Sequence, residues 1–92
     1  MSRARLNVIY SGNVQGVGFR YTVKSLVTGY EVVGTIRNLD DGRVEMTAEG
    51  ERAELEALQQ AIMDSGLGPL IRQALVNWTA PRGEFKGFAI VG

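Results

Sequence analysis

An α+β fold, with two helices laid on one face of an antiparallel sheet, is predicted by three observations on this 92-residue chain. Apolar residues alternate with period two in several stretches. In two others they recur every third or fourth position. The two kinds of stretch follow one another in the order β-α-β-β-α-β. The length allows one hydrophobic core and not two, so residues 1–92 are expected to form a single domain.

Leu6, Val8 and Tyr10 alternate with Asn7, Ile9 and Ser11, which predicts a first strand buried mainly on one face. Val23, Leu26, Val27 and Tyr30 then fall at i, i+3, i+4 and i+7, the spacing of an amphipathic helix that begins near Phe19. Thr22, Val23, Val27, Thr28 and Gly29 are weak helix formers, so packing has to hold that helix. The β-branched run from Glu31 to Arg37 predicts a second strand, and Asp40-Asp41-Gly42 is a hairpin signal. In the third strand Val44, Met46 and Ala48 point one way and Arg43, Glu45, Thr47 and Glu49 the other. Gly50 is expected to cap a second helix, with Glu51, Glu54 and Glu56 in its first turns, Leu55, Leu58 and Ile62 on its apolar face, and Gly66 as its C-terminal stop. Extended segments follow at 71–79 and 85–91, separated by Pro81-Arg82-Gly83, with Trp78, Phe88 and Ile90 as core residues. That order suggests a ferredoxin-like α/β sandwich with room for an extra C-terminal strand.

Composition narrows the chemistry. Ten basic and ten acidic residues cancel, so no global field draws the chain to nucleic acid or to an anionic membrane. The absence of Cys removes disulfides, thiolate metal sites and a thiol nucleophile. The absence of His removes the usual general base near neutral pH. No stretch is long and apolar enough to span a bilayer and no leader pattern precedes the first strand, so a cytoplasmic protein is expected. Asn77-Trp78-Thr79 matches a glycosylation sequon, which has no meaning without a secretory signal. No internal repeat or linker is visible, and a monomer is the default expectation.

The segment Gly12-Asn13-Val14-Gln15-Gly16-Val17-Gly18-Phe19-Arg20 joins the first strand to the first helix. Such a glycine-bearing loop can turn several backbone N–H groups toward one point, where the positive end of the helix dipole favours an anion such as phosphate. Arg20 adds a planar fork that can pair with two phosphate oxygens. The competing reading is a plain tight turn, which Gly16 and Gly18 would equally serve. Neither a dinucleotide fingerprint nor a P-loop is present: Tyr21 occupies the place of a third glycine, and no Lys-Ser or Lys-Thr follows Gly18.

In the expected topology the first two strands run parallel with the third between them, so their carboxyl ends share one edge of the sheet. Arg20 follows the first end and Asn38 stands at the second, with strands two places apart separated by ~9–10 Å. A phosphate held by Arg20 could then reach a water held by Asn38. The alternative for Asn38 is a turn-flanking residue bonded to its own backbone. Asp40, Asp41 and Glu45 are read as turn and strand residues, with no metal and no cofactor expected.

The loop motif strongly resembles the signature of acylphosphatases, and Gly34-Thr35-Ile36-Arg37-Asn38-Leu39-x-Asp41-Gly42-x-Val44-Glu45 resembles their second signature, at the family's usual interval. Gly50 and Gly87-Phe88-Ala89-Ile90 are similar to further family features, so the likeness covers nearly the whole chain. It departs from the usual family pattern at Val27, Glu31, Thr35 and Ile36. The resemblance implies a small hydrolase that splits acyl phosphates into a carboxylate and inorganic phosphate. It implies that Arg20 binds the phosphoryl group together with the backbone amides of Gln15, Gly16, Val17, Gly18 and Phe19, and that Asn38 orients the attacking water.

The same architecture also serves RNA-binding and ligand-sensing modules. An RNA module would need stacking aromatics on its central strands, where Arg43 to Thr47 offer none. A ligand-sensing module would leave Arg20 and Asn38 without a task. A phosphate-binding domain of the same family, poor in catalysis, is the closer alternative. Similar domains also open the larger carbamoyltransferases of hydrogenase maturation, whose zinc-binding cysteines this chain lacks.

Overall fold

A computed structural model of the chain describes residues 2–92. Strand β1 (Arg3–Gly12) leads into helix α1 (Phe19–Val27). Strands β2 (Val32–Asn38) and β3 (Val44–Glu51) follow, then helix α2 (Arg52–Asp64), a 3₁₀ turn (Gly68–Leu70) and strands β4 (Ile71–Thr79) and β5 (Phe88–Ile90). The five strands form one sheet in the order β4-β1-β3-β2-β5. This is the expected ferredoxin-like arrangement with β3 between β1 and β2, antiparallel to both.

The sheet is mixed and not wholly antiparallel, because β5 pairs with β2 in the parallel sense. Geometry requires this. Thr79 at the end of β4 lies opposite Arg5, at the end of the sheet where β1 and β2 begin. The chain then crosses to the far edge and must run along β2 in the direction that β2 itself takes. The final strand is also shorter than 85–91, since the crossing uses residues up to Gly87.

Alternation places Leu6, Val8 and Tyr10 of β1 opposite Ala48, Met46 and Val44 of β3, all fully buried beneath the helices. Phe19, Val23 and Val27 of α1 and Leu55, Leu58 and Ile62 of α2 close the core from the other side. Val27 and Ile36, two departures from the family pattern, are both core residues. Trp78, Phe88 and Ile90 are half-buried against the core rather than within it. Tyr30 lies beyond the end of α1, where its N–H donates to Val27 O at 2.9 Å.

Two caps differ from expectation. Gly50 belongs to β3, and the residue before α2 is Glu51, whose side chain makes no capping bond. Gly50 is there for room: a Cβ at that position would come within 2.8 Å of Glu31 O. At the other end Ser65, not Gly66, stops α2. Both its N–H (3.3 Å) and its Oγ (2.6 Å) donate to Ile62 O, and Gly66 does not adopt the left-handed conformation of a glycine stop.

The polar side of β3 is not an exposed face. Glu49 is 1% exposed. The 80–87 crossing lies over it, with the Arg82 and Gly83 N–H groups donating to the carboxylate at 2.9 and 3.0 Å and Arg5 Nη1 at 2.7 Å. Burial alone would raise the Glu49 pKa, but the two backbone bonds and the Arg5 guanidinium outweigh it and hold it below the ordinary value. One carboxylate therefore latches the crossing that delivers β5. No helix among the described residues is long and apolar enough to cross a membrane.

A depressed carboxyl pKa contributes stability that is present above the unfolded value and lost as pH falls through the folded one. Glu49→Gln is expected to cost about 1–3 kcal/mol at pH 7. In urea unfolding at a series of pH values, that deficit should shrink as pH drops below ~4.3, the ordinary glutamate range.

Candidate active site

Strand β1 ends at Gly12, and the chain then turns through residues 13–18 into α1. Contacts at both ends anchor this loop. Val14 is buried in the core, and the Asn13 N–H donates to Leu70 O at 3.0 Å. Phe19, the first residue of α1, packs on the Tyr10 ring with centroids 5.2 Å apart. Between the anchors Gly16 and Gly18 take φ of 75° and 76°, the left-handed region that other residues enter only at a cost.

Gly18 is the N-cap of α1 and has no side chain to cap with, and no acidic residue stands in the first turn. The first helical bond runs from Thr22 N to Gly18 O at 3.0 Å, so the N–H groups of Phe19, Arg20 and Tyr21 have no acceptor within the helix. Among the described residues, the N–H groups of Gln15, Gly16, Val17 and Gly18 likewise donate to no other part of the protein. The helix dipole at this end is uncompensated by any negative side chain. The result is an exposed loop and helix end with unused donors.

Arg20 projects from the same turn and is partly exposed. Arg5, Arg37, Arg43, Arg52 and Arg82 all face carboxylates, whereas Arg20 makes no ion pair among the described residues. A guanidinium free of internal partners, beside uncapped N–H groups, is suited to an external anion.

Asn38 closes β2, directly opposite Val44 of β3. Its Oδ1 is buried and has no hydrogen-bond partner, alone in this among the side-chain N and O atoms of the described residues. It does not bond its own backbone as a turn-flanking Asn would. Leaving a buried acceptor unsatisfied costs about 1–3 kcal/mol, so such an atom calls for a functional reason.

The topology brings the loop and Asn38 to one edge, as the strand order requires, and a side chain then joins them. Gln15 Nε2 donates to both Leu39 O and Arg43 O at 2.9 Å, across the β2–β3 hairpin. The sequence suggested only a backbone role for Gln15. Nothing in its local pattern signals this bridge, because both acceptors lie more than twenty residues away and become neighbours only through the sheet.

The nearby carboxylates are engaged within the protein. Asp41 accepts from Arg43 N (3.1 Å) and Arg43 Nε (2.8 Å), and the backbone bond is the main cause of its lowered pKa. Glu45 accepts from Asn7 Nδ2 (3.0 Å) and Arg37 Nε (2.9 Å), with the Asn7 bond the larger cause of its lowered pKa. Asp40 is exposed. Among the described residues, no three His, Cys, Asp or Glu side chains gather as metal ligands would.

A family model for acylphosphatase matches residues 6–90. The chain is a member of the acylphosphatase family. It is 38% identical to an acylphosphatase of Thermobifida fusca over 88 residues, covering 96% of this chain and 97% of that protein. The crystal structure of the Bacillus subtilis acylphosphatase superposes with a TM-score of 0.88 at 31% identity, covering 97% of this chain and 99% of that one. Full-length HypF carries a similar region, with a TM-score of 0.83 and 27% identity over 99% of this chain but only 12% of HypF. The two sequence signatures of the acylphosphatase pattern thus coincide with the uncapped loop and the hairpin that Gln15 ties together.

Gly18→Ala tests the framing of this loop. A Cβ at Gly18 would meet no neighbour, so the cost is conformational alone, about 1–2 kcal/mol. Gly66→Ala, also unobstructed and without a positive φ, should stay within about 0.5 kcal/mol of wild type in the same urea titration.

Proposed function

We propose that this chain hydrolyses acyl phosphates to a carboxylate and inorganic phosphate, with Arg20 and Asn38 as its catalytic residues. Membership of the acylphosphatase family supports the reaction. The observation that carries the assignment of roles is the buried, unpartnered Asn38 Oδ1 at the same sheet edge as the uncapped loop.

The phosphoryl group binds to the backbone N–H groups of Gln15, Gly16, Val17, Gly18 and Phe19, and Arg20 pairs with two of its oxygens. A turn of the Asn38 side chain that uncovers Oδ1 lets it accept a hydrogen bond from water and align the water oxygen with phosphorus, on the side away from the leaving group. An amide is far too weak a base to deprotonate that water, so Asn38 positions it. The phosphorus–oxygen bond to the acyl group breaks, and the carboxylate departs unprotonated because its conjugate acid has a pKa of ~4. The proton of the attacking water passes to a phosphate oxygen of the substrate itself. Phosphoryl transfer of this kind depends on positioning and charge stabilisation, which arginine and amide N–H groups supply.

This mechanism needs no general acid, no thiol and no metal, in keeping with a sequence that has neither His nor Cys. An alkyl phosphate ester, with its alkoxide leaving group, would need an acid or a metal, so the proposed substrate class is the acyl phosphate. The same reading takes residues 1–92 as one catalytic domain that acts as a cytoplasmic monomer, with neither nucleic acid nor membrane as partner. The balance of ten basic and ten acidic residues supports the last point.

Phosphate release from benzoyl phosphate, with chelator present, tests the proposal. Wild type should turn over freely. Asn38→Ala should lose about 10²–10³ in kcat with little change in the inhibition constant of inorganic phosphate, because it removes an interaction with water alone. Arg20→Ala should lose at least about 10³ in kcat and weaken phosphate inhibition as well. A folded wild type no faster than the uncatalysed reaction would leave a phosphate-binding module in place of an enzyme.

A further inference from the structure

The geometry points to a third functional side chain: Gln15 is a positioning residue that fixes the separation between the phosphate cradle and Asn38. The inference rests on the acylphosphatase reading above, and extends it from two residues to the link between them.

The cradle and the water site belong to different parts of the chain. One is the 13–18 loop, carried by β1 and α1. The other is the end of β2 and its hairpin. Among the described residues, the bonds from Gln15 Nε2 to Leu39 O and Arg43 O are the only hydrogen bonds between that loop and residues 38–43. Both acceptors flank Asn38: Leu39 follows it in the chain, and Arg43 precedes Val44, its partner across the hairpin.

The fold does not need these bonds. Leu39 O already accepts from Gly42 N at 3.2 Å, and Arg43 O already accepts from Leu39 N at 2.8 Å. The hairpin is closed by its own backbone, and neither carbonyl would be left unsatisfied without Gln15. The loop for its part is anchored by Val14, Phe19 and the Asn13 bond to Leu70. The Gln15 amide therefore adds a constraint between two elements that are each stable without it. Since one NH₂ group reaches two carbonyls, it fixes both distance and direction.

That constraint acts on the quantity the reaction depends on most. In-line attack requires the water oxygen about 3–3.5 Å from phosphorus, and an error of about 1 Å can cost about 10²-fold. Phosphate affinity, by contrast, depends on the loop and Arg20 alone. Loss of the bridge should therefore reduce kcat and spare phosphate binding.

The experiment is a double-mutant cycle read by kinetics. Gln15→Met keeps the length of the side chain and removes both donors. It should unfold near the wild-type temperature, lower kcat about 10- to 100-fold, and leave the inhibition constant of inorganic phosphate within about threefold. Introduced into Asn38→Ala, the same change should lower kcat no further, because there is no positioned water left to misplace. Gln15→Glu, which sets a carboxylate against two carbonyl oxygens, should fall below Gln15→Met in kcat. Three results would overturn the inference: wild-type kcat in Gln15→Met, phosphate inhibition weakened in step with kcat, or the full loss repeated on top of Asn38→Ala. An inactive wild type would remove the acylphosphatase reading and this inference together. An active wild type with an unaffected Gln15→Met would remove only this one.

Discussion

The insertion of β3 between β1 and β2 is the constraint from which the rest of the molecule follows. Because β3 is antiparallel to both, β1 and β2 run in the same direction and finish at the same edge. Their ends stand two strand spacings apart, ~9–10 Å. Val44, at the start of β3, lies between them, opposite both Tyr10 and Asn38. The opposite edge of the sheet carries the Glu49 latch and the crossing to β5. Structural burden and candidate chemistry are thus separated by the length of the strands.

At the edge where β1 and β2 end, several polar groups are short of satisfaction. The α1 N-terminus lacks a cap, Arg20 lacks a carboxylate, and Asn38 Oδ1 lacks a donor. Each omission would lower stability in an ordinary domain. Several residues of the same types are paired. Arg5 meets Glu49, Arg43 meets Asp41, and Asn7 bonds both Glu45 and Thr47. The unsatisfied groups all lie on the two segments that carry the family signatures. The proposed reaction suits a chain without His or Cys, because it asks its groups to orient and to neutralise charge and asks none to transfer a proton.

Most of the architecture was legible in the sequence because it is written in local periodicity. The alternation in β1 and β3, the apolar face of α2 and the Asp40-Asp41-Gly42 turn all report on neighbours a few residues away. The strand order then placed Arg20 and Asn38 at one edge. The features that were not legible depend on distant backbone. Glu49 reads as a solvent-facing position until the 80–87 crossing covers it. Gly50 reads as a cap until the start of β2 is seen to need its space. Gln15 reads as one residue of a loop until the hairpin arrives beside it. The parallel pairing of β5 follows from where β4 ends, which no alternation pattern records.

The central place of β1 also governs how the chain reaches this structure. Its pairing partners lie at residues 44–51 and 71–79, so the middle of the sheet is assembled from segments far apart in the chain. Closing loops of that length loses chain entropy before any strand contact can compensate. The one helix between β1 and β2 offers little early help, since α1 is short and built from weak helix formers. High contact order of this kind belongs to slower folders among small domains. The same strand arrangement that brings two distant residues to one edge therefore makes the route to the native state long.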